Sequence, residues 1–220
     1  GEVGNGTFDI VVTGTNDTPI ATFNAAQAVN EDAAPISGNL TATDVDADDS
    51  LTFNLDAPVD GLTLVNDLWT FDPSNLTYQS LADAEIQNVT VNYTVVDSTG
   101  AIGQNSFVIT VTGVNGAPVA TFTTQQNVNE GDALLNGQLT ATDEDSGDTL
   151  TFADTTGGIP GLIINGDGSF SFDPSDAIYD ILDEGDIQTH NVTYTVTDGL
   201  GSSDNGAFDI TITGTNDAPV

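Results

Sequence analysis

The chain has no Lys and no Arg in its 220 residues, against 34 Asp and Glu, which gives a formal charge of −34. Without fixed cations it has no means of gripping phosphate, so nucleic acid is excluded as a partner. The same absence argues against an anionic membrane surface, Schiff-base chemistry and an Arg or Lys phosphate clamp. Cysteine is missing too, which removes disulfides and thiolate chemistry. No apolar run is long enough to span a bilayer, so no membrane insertion is expected, and no signal peptide is visible. The one histidine, His190, stands where the other half of the chain has Val89 and reads as packed or exposed rather than catalytic. The one tryptophan, Trp69, is answered by Phe170 and reads as core rather than as a sugar-stacking platform. No nucleophile–base pair or oxyanion cation stands out. Two carboxylates can hydrolyse a glycoside, but here the acids recur at turn positions in both halves, as repeated structure would. The chain is therefore not expected to be an enzyme.

What the chain does have is a repeat. Gly14-Thr15-Asn16-Asp17-Thr18-Pro19-Ile20 returns as Gly113-Val114-Asn115-Gly116-Ala117-Pro118-Val119 and as Gly214-Thr215-Asn216-Asp217-Ala218-Pro219-Val220, so that the Asn recurs after 99 and then 101 residues. Each copy follows a strand-like run and ends in proline. The expected organisation is a last strand of a preceding repeat over 1–14, full repeats over 15–114 and 115–214, and a linker to a further repeat over 215–220. On this reading the chain is a monomeric excerpt of a long array, and its partners are neighbouring repeats of the same chain.

Within each repeat the apolar residues alternate with period two. Val89, Val91, Tyr93 and Val95 face one way, as do Phe107, Ile109 and Val111, and Phe8, Ile10 and Val12 repeat the latter pattern. Leu62 and Leu64 with Trp69 and Phe71 flank an Asn66-Asp67 turn, and Asn165-Gly166 marks the matching hairpin. Residues 78–85 are the one stretch where a helical turn is expected. About seven short strands per repeat predict an all-β fold: two tandem antiparallel β-sandwich domains in an elongated array.

In such a sandwich the turns gather at two poles. One pole of the first repeat collects Asp44, Asp46 and Asp97, and the other collects Asp83, Glu85 and Glu31. The Asn115-Gly116 linker falls between that second set and Asp143, Asp145 and Asp198 of the next repeat. Converging carboxylates repel one another unless a cation sits among them, and an all-oxygen set without His or Cys selects Ca2+. Acidity as a device for solubility in salt is the alternative. The loop is not an EF-hand: Asp44-x-Asp46-x-Asp48 opens correctly, but Asp49 and Leu55 stand where Gly and Glu are required.

These residues carry a resemblance. Asn16-Asp17-x-Pro19 and Asn216-Asp217-x-Pro219 resemble the cadherin inter-domain linker, Asp44-x-Asp46 and Asp143-x-Asp145 its Asp-x-Asp motif, and Asp83-Ala84-Glu85 its acidic turn. The order Gly-Thr-Asn-Asp-x-Pro, Ala-Thr-Asp-x-Asp, Phe-Asp-Pro-Ser, Tyr-Thr-Val-x-Asp is closer still to the VCBS-type, cadherin-like repeats of large bacterial RTX surface adhesins. The resemblance implies sandwiches joined end to end with Ca2+ at the junctions. It places Asn16, Asp17, Asp44, Asp46 and Asp97 at the first junction. The second would use Glu31, Asp83, Glu85, Asn115, Asp143, Asp145 and Asp198, and the last half-site Glu130, Glu184, Asp186, Asn216 and Asp217. Two departures stand out. The leading Asp of the cadherin linker is Gly14, Gly113 and Gly214, and Gly116 takes the place of the linker Asp, which removes one carboxylate.

The function so implied is a calcium-rigidified spacer that projects the binding tip of an adhesin in adhesion or biofilm formation. Its location would be extracellular, on a bacterial cell surface, by way of type I secretion. The alternative is a cadherin-like module that binds glycan or another copy of itself.

Overall fold

A computed structural model describes the chain apart from Glu2, Gly4, Ala47, Asp48 and residues 217–220. Asp217 thus lies outside the described residues. By contact the chain divides into two compact units, Gly1–Asn75 with Gln87–Val111, and Leu76–Ile86 with Thr112–Val220.

The first repeat holds strands β1 (Ile20–Ala21), β2 (Gln27–Asn30), β3 (Ile36–Asn39), β4 (Ala42–Thr43), β5 (Thr52–Leu55), β6 (Leu62–Val65), β7 (Leu68–Phe71), β8 (Ile86–Val96) and β9 (Ile102–Thr112). They form a four-stranded sheet in the order β2-β9-β8-β5, a three-stranded sheet β3-β7-β6 and a short β1-β4 ribbon. The second repeat copies this plan with β10 (Val119–Ala120), β11 (Gln126–Asn129), β12 (Leu135–Gln138), β13 (Ala141–Thr142), β14 (Thr151–Asp154), β15 (Leu162–Ile164), β16 (Ser169–Phe172), β17 (Ile187–Thr197) and β18 (Ser203–Thr213). Its sheets run β11-β18-β17-β14 and β12-β16-β15, with β10-β13 as the ribbon. No helix occurs among the described residues.

The period-two alternation is what builds each core. Val91, Tyr93 and Val95 of β8 and Phe107, Ile109 and Val111 of β9 are buried in the first repeat, while their neighbours in sequence face outward. In the second repeat Val192, Tyr194, Val196, Phe208, Ile210 and Ile212 do the same against Phe170 and Phe172. Trp69 is core, at 1% exposure, with its ring 5.2 Å from that of Phe107. Phe170 takes its place against Phe208 at 5.1 Å. Glycine makes the room for these rings. Gly38 pairs with Trp69 and Gly137 with Phe170 across the ladder, and a Cβ at Gly137 would come within 2.2 Å of the Phe170 ring.

The sequence expectation fails at residues 78–85, where the chain makes separate turns rather than a helical one. Leu81 N–H donates to Tyr78 O, and Glu85 N–H to Ala82 O at 2.8 Å, but Ala84 has φ of 59° and interrupts any helical path. In the second repeat the same position is Gly185, which adopts this conformation without strain. Residues 5–14 form no ladder, and Phe8, Ile10 and Val12 are exposed. His190 is half-buried on β17 with its ring edge-on to Tyr179, and burial holds its pKa below the usual imidazole value.

Candidate metal centres

Each repeat presents an acidic loop directly after its ribbon. In the first, Asp44, Asp46 and Asp49 each bring an oxygen within 4.8 Å of the others, and in the second Asp143, Asp145 and Asp148 do so. The loop closes on itself: Asp46 N–H donates to Asp44 Oδ1 at 3.0 Å, and Asp145 N–H to Asp143 Oδ1 at 3.1 Å. Asp44 Oδ2, Asp49 Oδ2, Asp143 Oδ2 and Asp148 Oδ2 are each buried with no protein partner. With no Lys or Arg in the chain, no side-chain cation can meet them. A buried carboxylate oxygen without a partner is costly, and here the same two positions leave one in both repeats.

The linker docks onto this loop through the residue after its Asn, and onto the aspartate that ends the long strand through the Asn itself. Asp17 N–H donates to Asp46 Oδ2, and Gly116 N–H to Asp145 Oδ2, both at 2.8 Å. Asn16 Nδ2 donates to Asp97 Oδ2 and Asn115 Nδ2 to Asp198 Oδ2, both at 2.9 Å. Asn115 Nδ2 also donates to Gly116 O and to Ser202 Oγ, which leaves its Oδ1 buried without a partner. The missing carboxylate at Gly116 therefore leaves the backbone contact intact. What the linker position contributes here is an N–H, and any residue but proline supplies one.

Asp97 and Asp198 do two jobs. Asp97 Oδ1 accepts from the N–H groups of Thr99, Gly100 and Ala101 at 2.8, 2.7 and 2.9 Å. Asp198 Oδ1 accepts in the same way from Leu200, Gly201 and Ser202. One oxygen of each thus ties the turn after the long strand, and Oδ2 remains on the linker side. The Asn16 amide, helped by the Ala101 and Thr99 donors, holds the Asp97 carboxyl down at about 2. Asn115, with the Gly201, Leu200 and Ser202 N–H groups, likewise lowers the Asp198 carboxyl below the usual carboxylate value. Asp148 moves the other way, raised by burial and then by the charges of Asp143, Asp145 and Asp198.

These opposite shifts predict how stability depends on pH in the absence of metal. As pH falls through the raised Asp148 value toward 3.8, the folded chain takes up a proton before the unfolded chain does, so stability rises. Between 3.8 and about 2, Asp97 stays ionised only when folded, so stability falls again. Melting temperatures in chelator should therefore peak near ~pH 4, and Asp148→Asn should flatten the rise. A monotonic increase up to neutral pH would contradict the arrangement.

The acidic turns at the other end behave differently. Ala84 N–H donates to Gly113 O at 3.1 Å and Gly113 N–H to Glu85 O at 2.8 Å; Gly185 and Gly214 N–H repeat the pair with Gly214 O and Asp186 O. A Cβ at Gly113 would lie 2.1 Å from Ala82 O, and one at Gly214 2.2 Å from Asp183 O. This is why the linker starts with Gly where the cadherin pattern has Asp: the turn backbone occupies the space. Gly113→Ala and Gly214→Ala should each cost about 1–3 kcal/mol in urea melts. Gly14→Ala, whose Cβ would meet nothing within 4 Å, should be neutral.

Of the acids expected at this end, Glu130 is buried, accepts the Thr215 N–H on Oε1 and has Oε2 buried without a protein partner. Glu31 is buried to 2% exposure in the first unit. Asp83, Glu85, Glu184 and Asp186 are exposed and join no acidic triad among the described residues. The second acid of each turn instead caps it, Glu85 Oε2 accepting from Ala82 N–H at 3.1 Å and Asp186 Oδ2 from Asp183 N–H at 3.3 Å. Asn216 is described and lies in the linker after β18.

Asp49 and Asp148 were not among the expected ligands. Their signal was present: Asp-x-Asp-x-x-Asp occurs in both repeats, at 44–49 and 143–148. A comparison with the EF-hand draws attention to Asp48 instead, which is Gly147 in the second repeat.

The donor set fits a hard cation. Three carboxylates, a linker amide oxygen and the Oδ2 of Asp97 or Asp198 are all oxygen ligands, the kind Ca2+ takes in sets of six to eight. Asp44, Asp46 and Asp49 with Asn16 would hold it in the first repeat, and Asp143, Asp145 and Asp148 with Asn115 in the second.

Comparison with solved structures finds the same architecture in cadherin repeats. Human protocadherin-24 EC1-2 aligns with a TM-score of 0.53 and 18% identity over 93% of this chain and 100% of that one. Mouse cadherin-23 EC22-24 aligns with 0.53 and 17% over 91% of this chain and 65% of that one. The chain spans about half the length of the protocadherin gamma B7 fragment of domains 1-4, covering 52% of it at 16% identity and a TM-score of 0.48. At such identities the likeness is one of fold. No curated protein matches the chain in sequence. The profile of the bacterial Ig domain matches twice, over residues 16–112 and 115–211. The chain belongs to the bacterial Ig domain family, as a tandem pair with cadherin-like architecture.

Proposed function

We propose that this chain is a pair of calcium-stiffened spacer repeats, 15–114 and 115–214, from a large bacterial surface adhesin of the VCBS and RTX type. They would serve to carry a binding tip away from the cell. The observation that carries the reading is the twinned loop: three carboxylates, two of them with a buried oxygen left without a partner, whose middle member accepts the N–H of the residue after the linker Asn, while Asp97 or Asp198 accepts from that Asn, in both repeats. A cation there neutralises repulsion in a chain of charge −34 and pins the linker to the repeat that follows it. A free linker lets an array coil; a pinned one extends it. Secretion by a type I route, neighbouring repeats as the partners and the absence of catalysis belong to the same proposal. Ig and cadherin folds are binding and structural modules.

Small-angle scattering of the chain in calcium and in chelator tests it. The maximum dimension should shrink and the flexibility increase on chelation, and an unchanged profile would remove the spacer reading.

One observation favours a binding role for the first repeat. An open groove of about 340 Å³ is lined by Leu51, Thr52, Phe53, Asn66 and Asp67. In the second repeat the longer hairpin turn reaches across, with Phe152 N–H donating to Gly166 O at 3.0 Å. A glycan array probed with the first repeat alone and with the intact chain would reveal such binding; no signal from either removes it.

A further inference from the structure

Gly116 has no structural reason to be glycine. Its φ lies outside the left-handed region, and a Cβ there would meet only Asp145 Oδ2 at 3.8 Å. Asp17 makes the same backbone bond in the first repeat. By contrast Gly137 and Gly206 face the Phe170 and Tyr194 rings, each 2.2 Å from where a Cβ would stand. What glycine does at 116 is create an Asn-Gly pair, the dipeptide with the least steric hindrance to attack by a backbone nitrogen on the preceding side-chain amide.

We propose that Asn115–Gly116 is a one-way modification site, guarded by the loop that holds it and converted to aspartate or isoaspartate when that loop opens. The Gly116 nitrogen gives up its proton and bonds to Asn115 Cγ. The Cγ–Nδ2 bond breaks, and Nδ2 leaves as ammonia carrying that proton. Water then opens the cyclic imide. Cleavage at Cγ–N leaves an ordinary aspartate at this position, and cleavage at the backbone carbonyl leaves isoaspartate with the main chain rerouted through Cγ. One amide nitrogen is exchanged for a water oxygen, and nothing is oxidised or reduced.

The folded acidic loop and the turn after β17 together oppose each requirement. Asn115 Nδ2 shares its two protons among Gly116 O, Asp198 Oδ2 and Ser202 Oγ at 2.7, 2.9 and 2.8 Å, so the leaving group is held as a neutral donor. Gly116 N–H donates to the Asp145 carboxylate at 2.8 Å. Removing that proton would set a second negative charge beside the first, which the Coulomb term disfavours. Ser202 offers the two Nδ2 protons an alternative acceptor that the first repeat lacks, since Ala101 occupies the matching turn position there. Conversion would reverse the balance: a carboxylate at 115 loses the donor that Asp198 Oδ2 accepts and adds a like charge beside it. The converted linker would then depend on a cation more strongly than the original one.

The test keeps the intact chain at mildly alkaline pH in calcium, in chelator and in urea, and follows each Asn-Gly pair by peptide mass mapping with isoaspartyl methyltransferase labelling. Asn5–Gly6, exposed and with nothing near Gly6, is the internal reference. In calcium Asn115 should convert at least about tenfold more slowly than Asn5, as expected for reaction only through local opening. In urea the two should agree. Asp145→Ala should speed Asn115 toward the Asn5 rate while Asn136 and Asn205, held in β12 and β18, stay unchanged, which separates loss of the guard from unfolding. Asn115 converting as fast as Asn5 in the folded chain, or more slowly than Asn5 in urea, overturns the proposal. Only the calcium arm rests on the spacer reading. If calcium and chelator give equal rates while urea accelerates the reaction, the guard stands and calcium binding at this loop fails.

Discussion

Replacing Asp143 and Asp148 together by Asn should raise the melting temperature of the chain in chelator and abolish the further rise that calcium gives to the second repeat. The two effects have one cause. Asp143, Asp145 and Asp148 crowd their oxygens within 4.8 Å, with Asp198 close enough to raise the Asp148 pKa. Without a cation that crowding works against the fold, and amides at two of the three positions relieve it. With a cation the same crowding is what binds. At a free calcium concentration about 100 times Kd, one site adds about 2.7 kcal/mol. For a domain near 100 residues that corresponds to a shift of about 10 °C or more. The wild-type chain should show this shift in calcium, and the double variant should show none. An equal calcium response from both would place the ion elsewhere.

The second large effect is independent of metal. Phe172→Ala should lower stability by about 3–5 kcal/mol in calcium and chelator alike. Phe172 is fully buried in the middle strand of a three-stranded sheet, paired with Leu135 on one side and Leu162 on the other. Its ring lies 5.5 Å from that of Tyr179, whose hydroxyl donates to Pro160 O at 2.9 Å. Truncation leaves a cavity that neither flanking strand can close without breaking its ladder. Ile163→Ala, on the exposed face of β15 at 59% exposure, should cost less than about 0.5 kcal/mol. Urea melts of the two variants separate packing from patterning: similar losses from both would mean that the sandwich interior is not where the alternation places it.

Much of this fold was legible because strand periodicity is a local signal. Val91, Tyr93 and Val95 announce a buried face with no knowledge of their partners, and they are buried. The equivalence of Trp69 and Phe170 likewise placed Trp69 in the core before any packing was known. Residues 78–85 misled because the spacing of Tyr78, Leu81 and the acids imitates a helical turn, whereas the decisive feature is the left-handed Ala84, which its side chain does not betray. The pairing of Asp44 with Asp46 could be read from their spacing. Asp49 and Asp148 could have been read as well, but their convergence depends on how the loop folds back. The meaning of Gly113 was hidden, since it depends on the Ala82 carbonyl, about thirty residues earlier. The role of Asp97 as both turn tie and linker anchor was only half visible. Its place at a strand end was plain, but the three backbone donors on Oδ1 belong to the turn that follows.

Calcium titration of the intact chain by calorimetry, with magnesium as comparison, tests the central claim most directly. Saturable binding is predicted, with at least one ion per acidic triad, selective for calcium and lost in a chain carrying Asn at positions 44, 49, 143 and 148. Heats that never saturate, that magnesium reproduces, or that survive those four substitutions would contradict it.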